Sequence, residues 1–161
     1  MPASTLEILA SSWEDELDVL KKIIFACKKA DLFMSLYKND IVIRVDPSSE
    51  RHLSLEIQTS KNVDWYYKEY PLALKEPEER IPYYLFDKSI NEEKLFAIAI
   101  ANNYLDDLLI WKFSSKYLAD NPGHIITLNR NVYLDFRKMS KIESITKYIE
   151  GWCFNLDQLL K

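Results

Sequence analysis

The stretch "KLFAIAIANNYLDDLLIWKFSSKYL", Lys94–Leu118, decides how the rest of the chain is read. Its first part carries apolar residues at nearly every position, and Ser89 with Glu92 just ahead offers a capping box. That combination predicts a helix through "EEKLFAIAIANNYL", covered on more than one side. In the second part Leu109, Trp111, Phe113 and Tyr117 share one parity, and Lys112, Ser114 and Lys116 the other. Alternation of that kind predicts a half-buried strand. Asn102, Asn103, Asp106 and Asp107 then form a corner, the asparagines closing off the last helical carbonyls and the aspartates keeping the turn wet.

Upstream, Trp13, Leu17, Leu20, Ile24 and Cys27 step by three and four, which predicts a helix from Ser12 to about Ala30, with Ser12 and Asp15 as its capping pair. "LFMSLY", "IVIRV" and "HLSLEIQT" are short β-rich runs separated by Lys38-Asn39-Asp40 and Asp46-Pro47-Ser48-Ser49. They predict a three-stranded meander, with Leu53, Leu55 and Ile57 inward. Residues 62–88 hold three prolines and many aromatics and read as a long connection, with room for one edge strand near Pro82 to Phe86. Downstream, Asp120-Asn121-Pro122-Gly123 and Asn129-Arg130-Asn131 are turn signals around "HIITL" and "VYLDF", which completes a second meander. A last helix is predicted from Ser140, with Ile142, Ile145, Ile149, Trp152, Cys153, Leu156 and Leu160 on one face and Gly151 tolerated inside it.

The predicted order is therefore α-βββ-α-βββ-α, an α+β fold with helices packed on antiparallel sheet, in one domain spanning residues 1–161. The two halves share an element order without a convincing sequence repeat.

Composition narrows the function classes. A net charge of -4 argues against nucleic acid as a partner, because that binding rests on basic residues displacing counterions from phosphates. No basic segment followed by a long apolar run opens the chain, and no long uncharged apolar stretch occurs, so a cytoplasmic protein without a membrane partner is expected. The 2 cysteines, Cys27 and Cys153, fall on apolar helix faces and are expected to be reduced core residues. With 4 Trp and 10 Tyr, aromatic surface exceeds what a chain of 161 residues readily hides, which points to an interface.

Catalytic signals are sparse. His52 and His124 have no metal-ligand spacing around them, and 2 glycines cannot build a phosphate cradle, so neither metal nor cofactor is expected. Asp106 and Asp107, with Tyr104, are the best acid group for acid–base work, yet as neighbours at an element end they read more readily as turn residues. The chain is accordingly read as a non-enzyme. The aromatic group Trp65, Tyr67, Tyr70, Tyr83 and Tyr84, with Trp111 and Trp152, is the candidate partner-binding set.

The segments "LFAIAIANNYLDDLLIWKFSSKYL", "HIITLNRNVYLDF" and "SKIESITKYIEGWCFNLDQLL" resemble the carboxy-terminal half of the YbjN family and of the related class I type III secretion chaperones. The resemblance implies a dimeric, acidic, non-enzymatic protein that binds other proteins, with no catalytic residues to carry over. The leading expectation is a chaperone- or adaptor-like module whose partner is another protein or a second copy. The alternative is a bacterial immunity protein that neutralises a toxin by binding it, for which Glu76, Glu78, Glu79 and Asp87 would supply an acidic patch.

Overall fold

The apolar run Lys94–Asn102 is a strand, and it lies in the middle of the sheet. The computed structural model describes residues 5–38, 40–61, 84–86, 94–102, 106–129 and 132–160. In chain order these form β1 (Thr5–Ala10), α1 (Glu16–Lys29), β2 (Phe33–Tyr37), β3 (Asp40–Arg44), β4 (Leu53–Ile57), β5 (Tyr84–Phe86) and β6 (Lys94–Asn102). There follow α2 (Asp107–Asp120), β7 (Ile125–Leu128), β8 (Val132–Leu134), α3 (Phe136–Ile145), a 3-10 turn (Trp152–Phe154) and α4 (Leu156–Leu159). The strands make one sheet in the order β2-β3-β4-β6-β1-β7-β8, with β5 added to β6. Every ladder among the described strands is antiparallel. An α+β fold with helices on antiparallel sheet is what the chain adopts.

The helix expected around β6 fails for a physical reason. Leu95, Ala97, Ile98, Ala99, Ile100 and Ala101 are all buried. Ile98, Ala99 and Ala101 belong to the main core, whereas Leu95, Ala97 and Ile100 join Leu9 in a second cluster on the other face. A strand covered on both faces shows an unbroken apolar run, and periodicity cannot tell it from a buried helix. An irregularity adds to the confusion. Ile8 pairs with Ala99 but Leu9 pairs with Ala97, so the parity of β6 slips by one residue.

The strand expected at 108–117 is instead α2. Its buried residues are Leu109, Ile110, Phe113, Ser114, Tyr117 and Leu118, a helical stripe. Leu109, Phe113 and Tyr117 stand four apart, a spacing that a helix and a strand both place on one side. Of the corner residues, Asn102 ends β6 and so closes no helix, Asn103 lies outside the described residues, and Asp106 and Asp107 become the start of α2. Asp106 is its N-cap, with Oδ1 accepting from the N–H groups of Leu108 at 2.9 Å and Leu109 at 3.1 Å. The second meander thus keeps only the β7–β8 hairpin, and β1, which the apolar "TLEILA" did not announce, enters the sheet beside β6.

Two more expectations shift. Asp15, rather than Ser12, caps α1, and the buried stripe is Val19, Ile23, Ala26 and Cys27. The predicted stripe is rotated from it, so Leu17 is exposed and Leu20 and Ile24 are only half-buried. The long last helix is broken: Asp135 caps α3, Thr146 ends it, and Gly151 adopts φ 75 ahead of the 3-10 turn. That left-handed backbone is the place where a glycine is needed.

The structure repeats an arrangement that the sequence conceals. β1-α1-β2-β3 and β6-α2-β7-β8 follow the same order, and α1 and α2 are each 14 residues long. Asp15 and Asp106 are the equivalent caps, and Lys38 (φ 56) and Asn129 (φ 53) hold equivalent left-handed positions after β2 and β7. Each β-α-β step joins strands of like direction that are not neighbours. β7 lands one strand from β6, beyond β1, whereas β2 is carried to the far edge.

The main core lies between the sheet and the helices. Leu6, Ile8 and Ala10 of β1, Ile41 and Ile43 of β3 and Leu53 and Leu55 of β4 meet Val19 and Ile23 of α1 and Leu109, Ile110 and Phe113 of α2. α1 packs on α2, and α2 on α3. Among the described residues no helix is long and apolar enough to cross a membrane.

Candidate functional site

Two features stand out on this scaffold: a chain of titratable groups between α1 and α2, and the outer edge of β2. The first begins at Tyr117 in the last turn of α2. Its hydroxyl lies 2.8 Å from Nδ1 of His124, in the loop entering β7, and Nε2 of His124 lies 2.8 Å from Oε2 of Glu14, just before the α1 cap. Lys22 Nζ closes the chain on the other Glu14 oxygen. The loop is held by its own backbone, since Asn121 Nδ2 donates to the Tyr117 carbonyl and the His124 N–H to the Asn121 carbonyl. Phe113 stacks on Tyr117 with ring centroids 5.5 Å apart.

A neutral His124 satisfies both partners at once, its Nδ1 accepting from the tyrosine and its Nε2–H donating to the glutamate. Burial pushes the imidazole pKa down, Lys22 pushes the same way, and Glu14 opposes both. Burial and the Glu14 charge raise the Tyr117 hydroxyl. With both ring nitrogens engaged, the arrangement fastens α1 to the end of α2. Beside it lies an open groove of about 350 Å³, lined by Lys22, Phe25, Lys29, Asp120 and Asn121, and Lys29 and Asp120 form an ion pair across it. His124, expected to be an isolated strand-edge histidine, was missed because Glu14, Tyr117 and His124 come together only in the fold.

The acid pair has other duties. Asp106 caps α2 and meets exposed Arg51 at 3.2 Å. Asp107 Oδ2 accepts the Gly151 N–H at 2.8 Å, and its carbonyl accepts Trp152 Nε1 at 3.1 Å, which ties the C-terminal segment to α2. Tyr104 lies outside the described residues. His52 is exposed, with Nδ1 3.2 Å from the Glu50 carbonyl. Cys27 and Cys153 are free and buried, as expected, and burial raises both thiols to about 12. No group of three or more His, Cys, Asp or Glu could hold a metal among the described residues.

Of the expected partner-binding aromatics, Trp65, Tyr67, Tyr70 and Tyr83 lie outside the described residues, as do Glu76, Glu78, Glu79 and Asp87 of the acidic patch. Tyr84 belongs to β5, opposite Phe96. Trp111 is half-buried, its ring edge-on to Trp152 at 4.9 Å and to Tyr148 at 6.0 Å. Trp152 is a correction: it is 1% exposed in the core, so it presents no surface to a partner.

Exposed apolar surface is instead found at β2. Among the described strands β2 has one neighbour, β3. Phe33 (45% exposed), Leu36 (65%) and Tyr37 (64%) project from it, Phe33 and Tyr37 on one sheet face and Leu36 on the helix face. An edge strand normally carries charge or proline to discourage pairing, and "FMSLY" has neither. The apolar character continues onto α1. Because Lys22, Phe25 and Lys29 turn towards the end of α2, the opposite flank of the helix carries Leu17, Leu20 and Ile24.

Comparison of the chain with protein-family models, with curated proteins and with solved structures finds no match.

Proposed function

We propose that this chain is a non-enzymatic, cytoplasmic protein-binding module of chaperone or adaptor type, whose binding element is the β2 edge. The observation that carries the reading is the row of Phe33, Leu36 and Tyr37, largely exposed on an uncharged edge strand. An extended polypeptide laid along such an edge gains main-chain hydrogen bonds from the strand and apolar contacts from its alternating side chains. The Glu14–His124–Tyr117 chain supports the same view, since its polar atoms face one another and hold the helices behind the sheet.

The test is purification of the tagged chain from its native host, with mass spectrometry of what it carries, alongside the variant Leu36→Glu. Leu36 is exposed, so the variant is expected to keep the wild-type circular dichroism spectrum. Wild type is expected to retain a bound polypeptide that the variant loses. An equal load on both proteins refutes the assignment of binding to this edge.

A further inference from the structure

We infer that the polypeptide at this edge is β2 of a second copy of the same chain, joined antiparallel about a twofold axis through Ser35. The inference rests on the protein-binding reading above and names its partner. Tyr37 and Asp40 close the β2–β3 hairpin, so alternation from that pair turns the N–H and C=O of Met34 and Leu36 outward, to the free side. A second β2 running the other way meets these groups with its own Leu36 and Met34. Ser35 then faces Ser35 across the axis.

The side chains complement themselves in that register. Phe33 falls opposite the partner copy's position 37, so an aromatic meets an aromatic on one face. Met34 falls opposite position 36 on the helix face, and each copy makes both contacts. Lys38 follows β2 and Asp31 precedes it, so the antiparallel arrangement places each copy's cation beside the other's anion. A shift of register by one residue would set Leu36 against Phe33 and move Ser35 off the axis.

A five-residue strand is a small interface by itself, and stable pairs usually bury more. The fold supplies the remainder. The axis stands perpendicular to the sheet, so both copies of α1, which packs against β2, lie on the same face of the continued sheet. Leu17, Leu20 and Ile24 are on the flank of α1 turned towards that joint, which accounts for an apolar stripe rotated away from the core.

The register makes a specific cross-linking test. Cys27 and Cys153 are buried, with thiols raised to about 12, so a cysteine introduced on β2 is the reactive one. Ser35→Cys faces its counterpart in a closely spaced pair and is expected to form a reducible disulfide-linked dimer under mild oxidation. Tyr37→Cys alone is not expected to link, but a mixture of Phe33→Cys and Tyr37→Cys is. Light scattering is expected to give twice the mass of the chain for wild type and the monomer mass for Leu36→Glu. A monomeric wild type with no Ser35→Cys link overturns the second copy. If Leu36→Glu still releases a bound polypeptide from that monomer, the edge reading survives; if it changes nothing, both fall.

Discussion

Replacing Asp106 with alanine tests the start of α2, the point at which an alternation-based reading of the sequence parts from the structure. One carboxylate oxygen accepts two backbone N–H groups, from Leu108 and Leu109, that would otherwise lack partners in the first turn. Loss of an N-cap aspartate costs about 1–2 kcal/mol. The same carboxylate meets Arg51, but that guanidinium side chain is 82% exposed, so the pair adds at most a few tenths of a kcal/mol. Asp106→Ala is therefore predicted to lose about 1.5–2 kcal/mol, mostly from the cap. For a domain of this size that lowers the melting temperature by about 3–7 °C. Urea unfolding and calorimetry measure both. Asp106→Asn, whose amide oxygen can still accept, is predicted to lose less than half as much, and Arg51→Ala to stay within about 0.5 kcal/mol of wild type. Equal effects of Asp106→Ala and Arg51→Ala would refute the reasoning, since the ion pair and not the cap would then be the source.

Two further predictions concern the interior. The folded-state pKa of His124 lies below its unfolded value, so its contribution is fully present above the unfolded value near 6.5 and is lost as pH falls through that value towards the folded one. Wild type is expected to lose stability between neutral pH and about pH 5.5 more steeply than His124→Gln, by at most about 1.4 kcal/mol per pH unit. Parallel urea-derived curves for the two proteins would remove His124 from the acid response. Trp152→Ala leaves a large void beside Trp111 and frees the Asp107 carbonyl, and is predicted to cost about 3–5 kcal/mol in urea unfolding. A loss under about 1 kcal/mol would mean that the indole behaves as surface rather than core.

How much of this was legible depended on which faces of an element are covered. The β2-β3-β4 meander was readable because Leu53 and Leu55 alternate with half-exposed Ser54 and exposed Glu56, and polar turns separate the strands. β6 was not, because both its faces are buried and three of its nine residues are alanine, a good helix former. α2 was not, because residues four apart satisfy both periods. The edge site is invisible in sequence, where nothing distinguishes an edge strand from an inner one except neighbours that only the fold supplies. The Glu14–His124–Tyr117 chain depended likewise on long-range assembly, although the local signals of Asp15 and Asp106 as caps were present in plain view.

The pairing of β1 with β6 and β7 has a consequence for synthesis. Among the described strands Thr5–Ala10 is made before the others; it carries four apolar side chains besides Glu7, and both of its neighbours, Lys94–Asn102 and Ile125–Leu128, come far later in the chain. The β2-β3-β4 meander can form early from local contacts, whereas the middle of the sheet waits until Lys94–Asn102 and Ile125–Leu128 have emerged. During that interval the nascent chain displays an oily ribbon without the two strands it pairs with among the described residues, the kind of transient exposure that favours aggregation before folding is complete.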